Sequence, residues 1–178
     1  MLITKKILVF TATYNEKDNI GKLIELIKRY CPFVDILIVD DKSPDNTADE
    51  VRFLQKKFEN ILLIERKSKL GLDTAHKFAF EYARSNNYDY LITMDADLSH
   101  NPSEIPKFLK LIDNNDFILG SRYIDGGKTK MALMRFLLSY FGNKFIKNVL
   151  NIKCSEYTSS FRAFNLIRMN NFHLNIIN

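Results

Sequence analysis

A chain of 178 residues that is 46% hydrophobic and 26% charged has enough apolar material for one globular domain with a sizeable core, which excludes a disordered tail. Its formal net charge of +5 comes from Lys and Arg spread along the sequence, a balance suited to an anionic ligand or an anionic membrane surface. Zn-type Cys/His spacing, a basic helix with interleaved aromatics and an RNA-binding signature are all missing, so nucleic acid is not an expected partner.

Cys31 and Cys154 are isolated and far apart, which favours a reducing, cytoplasmic setting over a disulfide framework. The apolar run Ile7 to Thr11, behind Lys5 and Lys6, is too short for a signal peptide and reads as a first strand. No window of about eighteen uncharged apolar residues provides a membrane span. Next, Ile20, Leu23, Ile24 and Ile27 recur at helical spacing with Asp18 or Asn19 as cap. Asp35 to Asp40 is the second strand, and Thr47 with Glu50 forms a capping-box pattern that opens a helix through Val51, Leu54 and Phe58. Ile61 to Glu65 is the third strand. Ala75, Phe78, Ala79, Tyr82 and Ala83 trace one helical face, and Tyr90 to Met94 follows as the fourth strand. Asn101 as N-cap, Pro102 at the first helical position and Glu104 begin a helix with Ile105, Phe108, Leu109 and Ile112 facing inward. Phe117 to Gly120 is the fifth strand. This alternation predicts an α/β fold over residues 1–178, a single domain whose mostly parallel central sheet carries helices on both faces.

In an open α/β sheet ligands bind at the carboxyl ends of the strands, and the informative residues lie there. Asp95 and Asp97, in the stretch Met94 to His100, would point the same way from a strand end. They repel unless a cation or a donor-rich ligand lies between them. A divalent metal with a nucleoside diphosphate would satisfy both; a capping and turn pair ahead of the helix is the alternative. Thr13, Tyr14, Asn15 and Glu16 follow the first strand without a glycine, so the dinucleotide fingerprint is absent. An aromatic and a carboxylate there can flank a base, or Asn15 and Glu16 can cap the next helix. After the second strand, a carboxylate of Asp40 or Asp41 can hold a ribose hydroxyl or a base amide, while Ser43, Pro44 and Asp45 make a turn. Lys69 beside Gly71 offers a cation to a phosphate, and Arg122 after Gly120 and Ser121 adds a guanidinium able to grip phosphate bidentately.

Together, Ala12 to Glu16, Asp40 to Thr47, Lys69 to Ala75, Asp95 to Pro102 and Gly120 to Arg122 resemble the family 2 glycosyltransferases of GT-A fold. That fold is the Rossmann-like fold of nucleotide-diphospho-sugar transferases. Within the family the chain is most similar to dolichol-phosphate or polyprenol-phosphate mannose synthases, from about Ile7 to Phe164. The resemblance implies a hexosyltransferase that moves mannose from a nucleotide diphosphate sugar such as GDP-mannose to a polyprenyl phosphate with inversion, dependent on Mg²⁺ or Mn²⁺. Carried over by position, it implies that the backbone of Ala12 with Tyr14 and Glu16 holds the base and ribose, helped by Val39 and Asp41. Asp95, Ala96 and Asp97 would line the sugar and diphosphate, with Asp97 the main metal ligand and Asp95 closer to the ribose or sugar. Arg122 would meet the phosphates and Arg135 the acceptor phosphate, so the implied catalytic set is Asp95, Asp97 and Arg122.

The departures from the family pattern are specific. Ala12 stands where proline is usual, and Lys42 and Asn46 replace glycines, so the second loop is expected to shift, because Lys tolerates left-handed backbone poorly. Tyr140 replaces a second arginine ahead of the family's Gly-Ala-Asn stretch, and Ser160 replaces glycine within Thr158 to Arg162. The sequence stops at Asn178, short of the further strand, basic loop and amphipathic helix that members usually add. An inactive or regulatory nucleotide-binding relative, or a transferase with another donor or acceptor, is therefore the alternative. A nucleotidyltransferase would need a glycine-rich basic loop that Thr11 to Glu16 lacks. Finally, Leu133, Phe136, Leu137, Tyr140 and Phe141 form an apolar stripe with Arg135, Lys144 and Lys147 nearby. It suits either a core helix or a helix at a bilayer surface, with a peripheral location on the cytoplasmic face or a membrane-anchored partner subunit.

Overall fold

The computed structural model describes residues 5–121, 133–150 and 156–169. Leu8, Val9 and Phe10, and Ile36 through Val39, are wholly buried, and such runs offer no polar face to water. They form strands covered on both sides: β1 (Ile7–Thr13) and β2 (Asp35–Asp40), parallel neighbours with Val9 opposite Ile36. β3 (Ile61–Glu65) pairs with β2, and β4 (Tyr90–Thr93) with β1, both parallel. β5 (Phe117–Leu119) and β6 (Arg162–Asn165) complete a six-stranded sheet among the described residues, in the order β3-β2-β1-β4-β6-β5.

β6 is a strand that the sequence pattern does not announce, and it separates the fifth strand from the fourth. It runs antiparallel between β4 and β5, with Leu91 and Phe117 both opposite Phe164. β5 therefore keeps the direction of β4 and its end still reaches the carboxyl edge, one strand further out.

The pleat sorts the core. On one face Val9, Ile36, Ile38 and Ile92 meet α1 (Lys17–Tyr30), α2 (Thr47–Gln55) and α4 (Ile105–Ile112) through Ile20, Leu23, Ile24, Ile27, Val51, Leu54, Ile105 and Phe108. On the other, Leu8, Phe10, Leu37, Val39 and Leu91 meet α3 (Leu72–Ser85), where Ala75, Ala79 and Ala83 at four-residue spacing let the helix sit close to the sheet. A fifth helix, α5 (Leu133–Leu150), keeps much of its apolar surface exposed.

Two helix starts differ from expectation because neighbouring residues take the capping contacts. α1 begins at Lys17 with Glu16 in the cap position, and Glu16 accepts from Asn19 Nδ2 at 2.9 Å. The capping box of α2 does not form: Asp45 takes both the Thr47 N–H (3.0 Å) and the Thr47 hydroxyl (2.5 Å), and Thr47 Oγ1 accepts the Glu16 N–H at 3.0 Å. That helix ends at Gln55, before Phe58. Asn101 caps as expected, accepting the Ser103 N–H at 3.1 Å in a 3₁₀ turn, Pro102–Glu104, that leads into α4. Lys42 (φ 56°) and Asn46 (φ 66°) hold left-handed backbone where glycines are usual, at a cost of about 1–2 kcal/mol for a residue such as Lys. The turn is pinned by Asp40, which accepts the Ser43 N–H at 2.8 Å and its hydroxyl at 2.6 Å.

Ile24 is wholly buried between α1 and the sheet, so Ile24→Ala is expected to lower the unfolding free energy by about 2–5 kcal/mol. Urea denaturation measures this; an unchanged midpoint would place Ile24 outside the core.

Candidate functional site

Four parallel strands end at one edge, and the two carboxylates that close β2 have different tasks. Asp40 is buried and accepts from the Thr13 hydroxyl at 2.8 Å as well as from Ser43, tying β1 to the second loop. Asp41 pairs with Arg66 Nε in a nearly buried ion pair, and its Oδ2 accepts the N–H groups of Leu70 and Gly71, each at 3.1 Å. The remaining guanidinium nitrogens reach Thr74 Oγ1 (2.6 Å) and the Gly71 carbonyl (2.9 Å). A carboxylate offers about four lone-pair positions. Three of those on Asp41 are used, so one acceptor position is left for a ligand. Sequence reasoning missed Arg66; the available signal was a basic residue directly after β3 at the edge that carries Asp40 and Asp41.

The loop held by Arg66 brings two predicted residues together. Lys69 Nζ lies 3.7 Å from the centroid of the Tyr14 ring, a cation–π contact on a side chain that is 38% exposed. Ala12 and Val39 are register partners on β1 and β2. Val39 is wholly buried, so anything it gives a ligand comes from its main chain.

β4 ends at Thr93, which places Asp95 and Asp97 in a loop beyond the strand, not as pleat neighbours upon it. Leu98, at φ 61°, reverses the chain, and Asp97 Oδ1 accepts the Ser99 N–H at 2.9 Å. The turn expected as an alternative therefore exists, and Asp97 stays exposed within it. Burial pushes the Asp97 carboxyl up, but the Ser99 hydroxyl and N–H and the nearby His100 outweigh it, and the net shift is below the ordinary value. Asp95 N–H donates to His100 Nδ1 at 3.0 Å, which leaves the imidazole proton on Nε2, 3.7 Å from Asp95 Oδ2. His100 stacks on Phe161 at 5.1 Å between centroids, and Phe161 on Phe108 at 4.5 Å, so the acidic loop rests on the aromatic core. Ala96 is buried in this loop. Beneath it, His76 meets Phe10 edge-on at 5.1 Å. Burial, reinforced by Arg162, pushes its pKa down, while Asp95 and Asp73 pull the other way, and the net shift is downward. Thr158 to Arg162 borders the same edge, where the Thr93 hydroxyl donates to the Ser160 carbonyl at 2.6 Å.

Arg122 lies outside the described residues, as does Cys154, and the Arg135 side chain on α5 is not described. As a metal site the acidic loop offers carboxylate oxygens, the donors that hard cations such as Mg²⁺ and Mn²⁺ prefer. Among the described residues no group of three or more His, Cys, Asp or Glu side chains could hold an ion alone. A cation here would need ligands from a diphosphate and water as well.

A mostly parallel sheet with the Tyr14, Asp41 and Lys69 loops at its first three strand ends, and an acidic loop at the fourth, has the GT-A fold of nucleotide-sugar transferases. Solved structures share that fold. A mannosyltransferase from Pyrobaculum calidifontis in complex with GDP-Man and Mn²⁺ aligns with a TM-score of 0.62 and 17% identity, covering 94% of this chain and 47% of that one. Glucosyl-3-phosphoglycerate synthase from Mycobacterium tuberculosis, bound to Mn²⁺, UDP-glucose and phosphoglyceric acid, aligns with a TM-score of 0.66 and 16% identity, covering 91% and 57%. The chain belongs to glycosyl transferase family 2, whose family model matches residues 8–166. It is 34% identical over 166 residues to the polyprenol monophosphomannose synthase of Mycolicibacterium smegmatis, covering 90% of this chain and 62% of the relative. It is 30% identical over 160 residues to the undecaprenyl-phosphate mannosyltransferase of Micrococcus luteus, covering 89% and 66%. The chain thus spans about two thirds of the length of these relatives.

Arg66→Ala would leave the Asp41 charge buried without its partner, so the variant is expected to lose about 3–5 kcal/mol of stability in chemical denaturation. A loss below about 1 kcal/mol, the range of solvated surface pairs, would show that water reaches Asp41.

Proposed function

We propose that this chain carries the donor-binding and catalytic part of a mannosyltransferase that moves mannose from a nucleotide diphosphate sugar, GDP-mannose above all, to a polyprenyl phosphate with inversion. One observation carries this: the exposed, ionised Asp97 with Asp95 lies at the same sheet edge as the Tyr14–Lys69 pair, and the relatives at 30–34% identity are named as polyprenyl-phosphate mannosyltransferases. Tyr14 and the last acceptor position of Asp41 would hold the base and ribose, with Glu16 and the main chain of Ala12 and Val39 beside them. Lys69 and Arg122 would meet the diphosphate. A Mg²⁺ or Mn²⁺ ion held by Asp97 with Asp95 would neutralise charge developing on the leaving diphosphate.

The acceptor phosphate is already anionic at neutral pH. Its oxygen bonds to the anomeric carbon from the face opposite the diphosphate, and the breaking C–O bond leaves its electron pair on the diphosphate. One displacement inverts the centre without a general base. Arg135 would steady the acceptor phosphate, and Tyr140 brings no charge to the same helix.

The exposed face of α5 favours a lipid-surface location over a core helix. Met134, Leu138, Phe141, Phe145 and Val149 recur at helical spacing and are 61–72% exposed, and Lys144 and Lys147 are exposed beside them. Among the described residues no helix is long and apolar enough to cross a membrane, so the contact would be peripheral.

Asp97→Asn is expected to weaken Mn²⁺-dependent binding of GDP by about tenfold or more, 1.4 kcal/mol or above, in isothermal titration. Undiminished metal-dependent binding would remove Asp97 from its role. A panel of nucleotide sugars with a short-chain polyprenyl phosphate tests the reaction itself: mannosyl phosphate product supports it, whereas nucleotide binding without transfer supports the non-catalytic alternative. The lipid contact is expected to be salt-sensitive, because about 1 kcal/mol per basic residue near anionic lipid is screened within a Debye length. Co-sedimentation with anionic liposomes at low salt, lost at high salt, is the expected result; protein left in the supernatant at low salt points to a partner subunit as the anchor.

A further inference from the structure

α5 is joined to the sheet by a polar pin. Of its residues with described side chains, Asn143 alone is buried, at 4% exposed. A buried amide is costly without partners, and here it has them. Its Nδ2 donates to the Ser139 carbonyl one turn back (2.9 Å) and to Glu156 Oε1 (3.4 Å), and its Oδ1 accepts the Tyr157 N–H (2.7 Å). Glu156 is wholly buried, and the same Oε1 accepts the Thr158 N–H at 3.1 Å and hydroxyl at 2.6 Å.

From there the contacts run on to the acidic loop. The Ser160 carbonyl takes the Thr93 hydroxyl at the end of β4, and the Phe161 carbonyl takes the Gly120 N–H at 2.8 Å. The Phe161 ring lies against His100, whose Nδ1 accepts the Asp95 N–H. Hydrogen bonds, covalent chain and packed rings thus connect Asn143 to Asp95 without a gap. An apolar helix face can slide or roll on its support with little penalty. A buried amide with fixed donors and acceptors cannot, because one residue of rotation, about 100°, would break the two bonds that leave the helix, to Glu156 and to the Tyr157 N–H.

We infer that Asn143 is a positioning residue for the acceptor. It fixes the height and rotation of α5 against the acidic loop through Glu156 and the Tyr157 N–H, without touching substrate. The acceptor role depends on the transferase function proposed above; the seating of α5 does not. The test uses the full chain with Asn143→Leu, which keeps volume but removes both amide groups, Asn143→Ala, and Asn143→Ser, which keeps one small polar group.

In Asn143→Ala and Asn143→Leu, Mn²⁺-dependent GDP binding is expected to stay within about twofold of wild type, while the KM for polyprenyl phosphate rises about tenfold or more. Amide hydrogen exchange in α5 and in the Asp95 to His100 loop is expected to quicken by about tenfold, with Asn143→Ser least affected. Asn143→Leu with wild-type exchange and acceptor KM would show that packing alone seats the helix and would overturn the inference. Equal loss of donor and acceptor binding in all three variants would overturn it too, as a general collapse of the fold. If the wild-type chain transfers no mannose, the proposed function fails, and the exchange measurement still decides whether Asn143 holds α5.

Discussion

The structure depends on burying β1 and β2 on both faces. Leu8 to Phe10 and Ile36 to Val39 give no side chain to water, so no chemistry can be sited along these strands. It is displaced to the carboxyl edge, where the chain leaves the sheet and polar residues become affordable. The small face of α3 serves the same end. With alanines against the sheet, the helix lies close, and its first turn meets the loop that carries Lys69.

At that edge, acidic residues divide by burial. Asp40 and Asp45 are consumed in holding the loops, the first binding β1 to the turn after β2 and the second starting α2 and steadying the start of α1, while Asp41 binds Arg66 and two backbone amides and keeps one acceptor position. Asp95 and Asp97 instead lie in a loop whose support comes from below, through His100 on Phe161. A carboxylate saturated by protein donors organises; one that keeps acceptor capacity in reach of solvent can receive a cation or a ligand. The left-handed Lys42 shows how firmly the organising set acts, since it holds in place a backbone that lysine rarely adopts.

Legibility in the sequence follows the range of the interactions. The first four strands and α3 could be read because each is announced by its own apolar run or helical stripe, and the acidic loop because two aspartates after such a run are conspicuous. β6 could not. Arg162 to Asn165 is four residues long, with only Ala163 and Asn165 well buried, and it is a strand because β4 and β5 leave a gap between them. The α2 capping box failed for a local reason: Thr47 and Glu50 have the right spacing, but Asp45, two residues back, holds Thr47 first. β4 ends at Thr93, one residue before the expected Met94, and the chain then turns, so Asp95 and Asp97 project from a loop and not as the pleat neighbours expected at a strand end. Arg66 and Asn143 have little local signature, because the partners that bury them, Asp41 for Arg66 and Glu156 with the Tyr157 N–H for Asn143, lie 25 and 13 or more residues away.

α5 brings these strands of reasoning to their sharpest point. On α5, Met134, Leu138, Phe141, Phe145 and Val149 are turned outward, so hydrophobic burial of these side chains does not fix its orientation. Directional contacts supply such a constraint, among them those of Asn143 and Glu156. That division of labour would suit the proposed lipid-surface helix, which would meet a fluctuating apolar environment on one side and hold a glycosyl-transfer geometry on the other. The apolar face tolerates disorder in what it touches, while the buried amide does not tolerate a change in how the helix is set. A purely apolar seat would bind the helix as tightly but would let it roll, and a roll of a few tens of degrees at α5 would move any group it offers to an acceptor by several ångströms relative to Asp95, at a helix radius of about 5 Å with side chains.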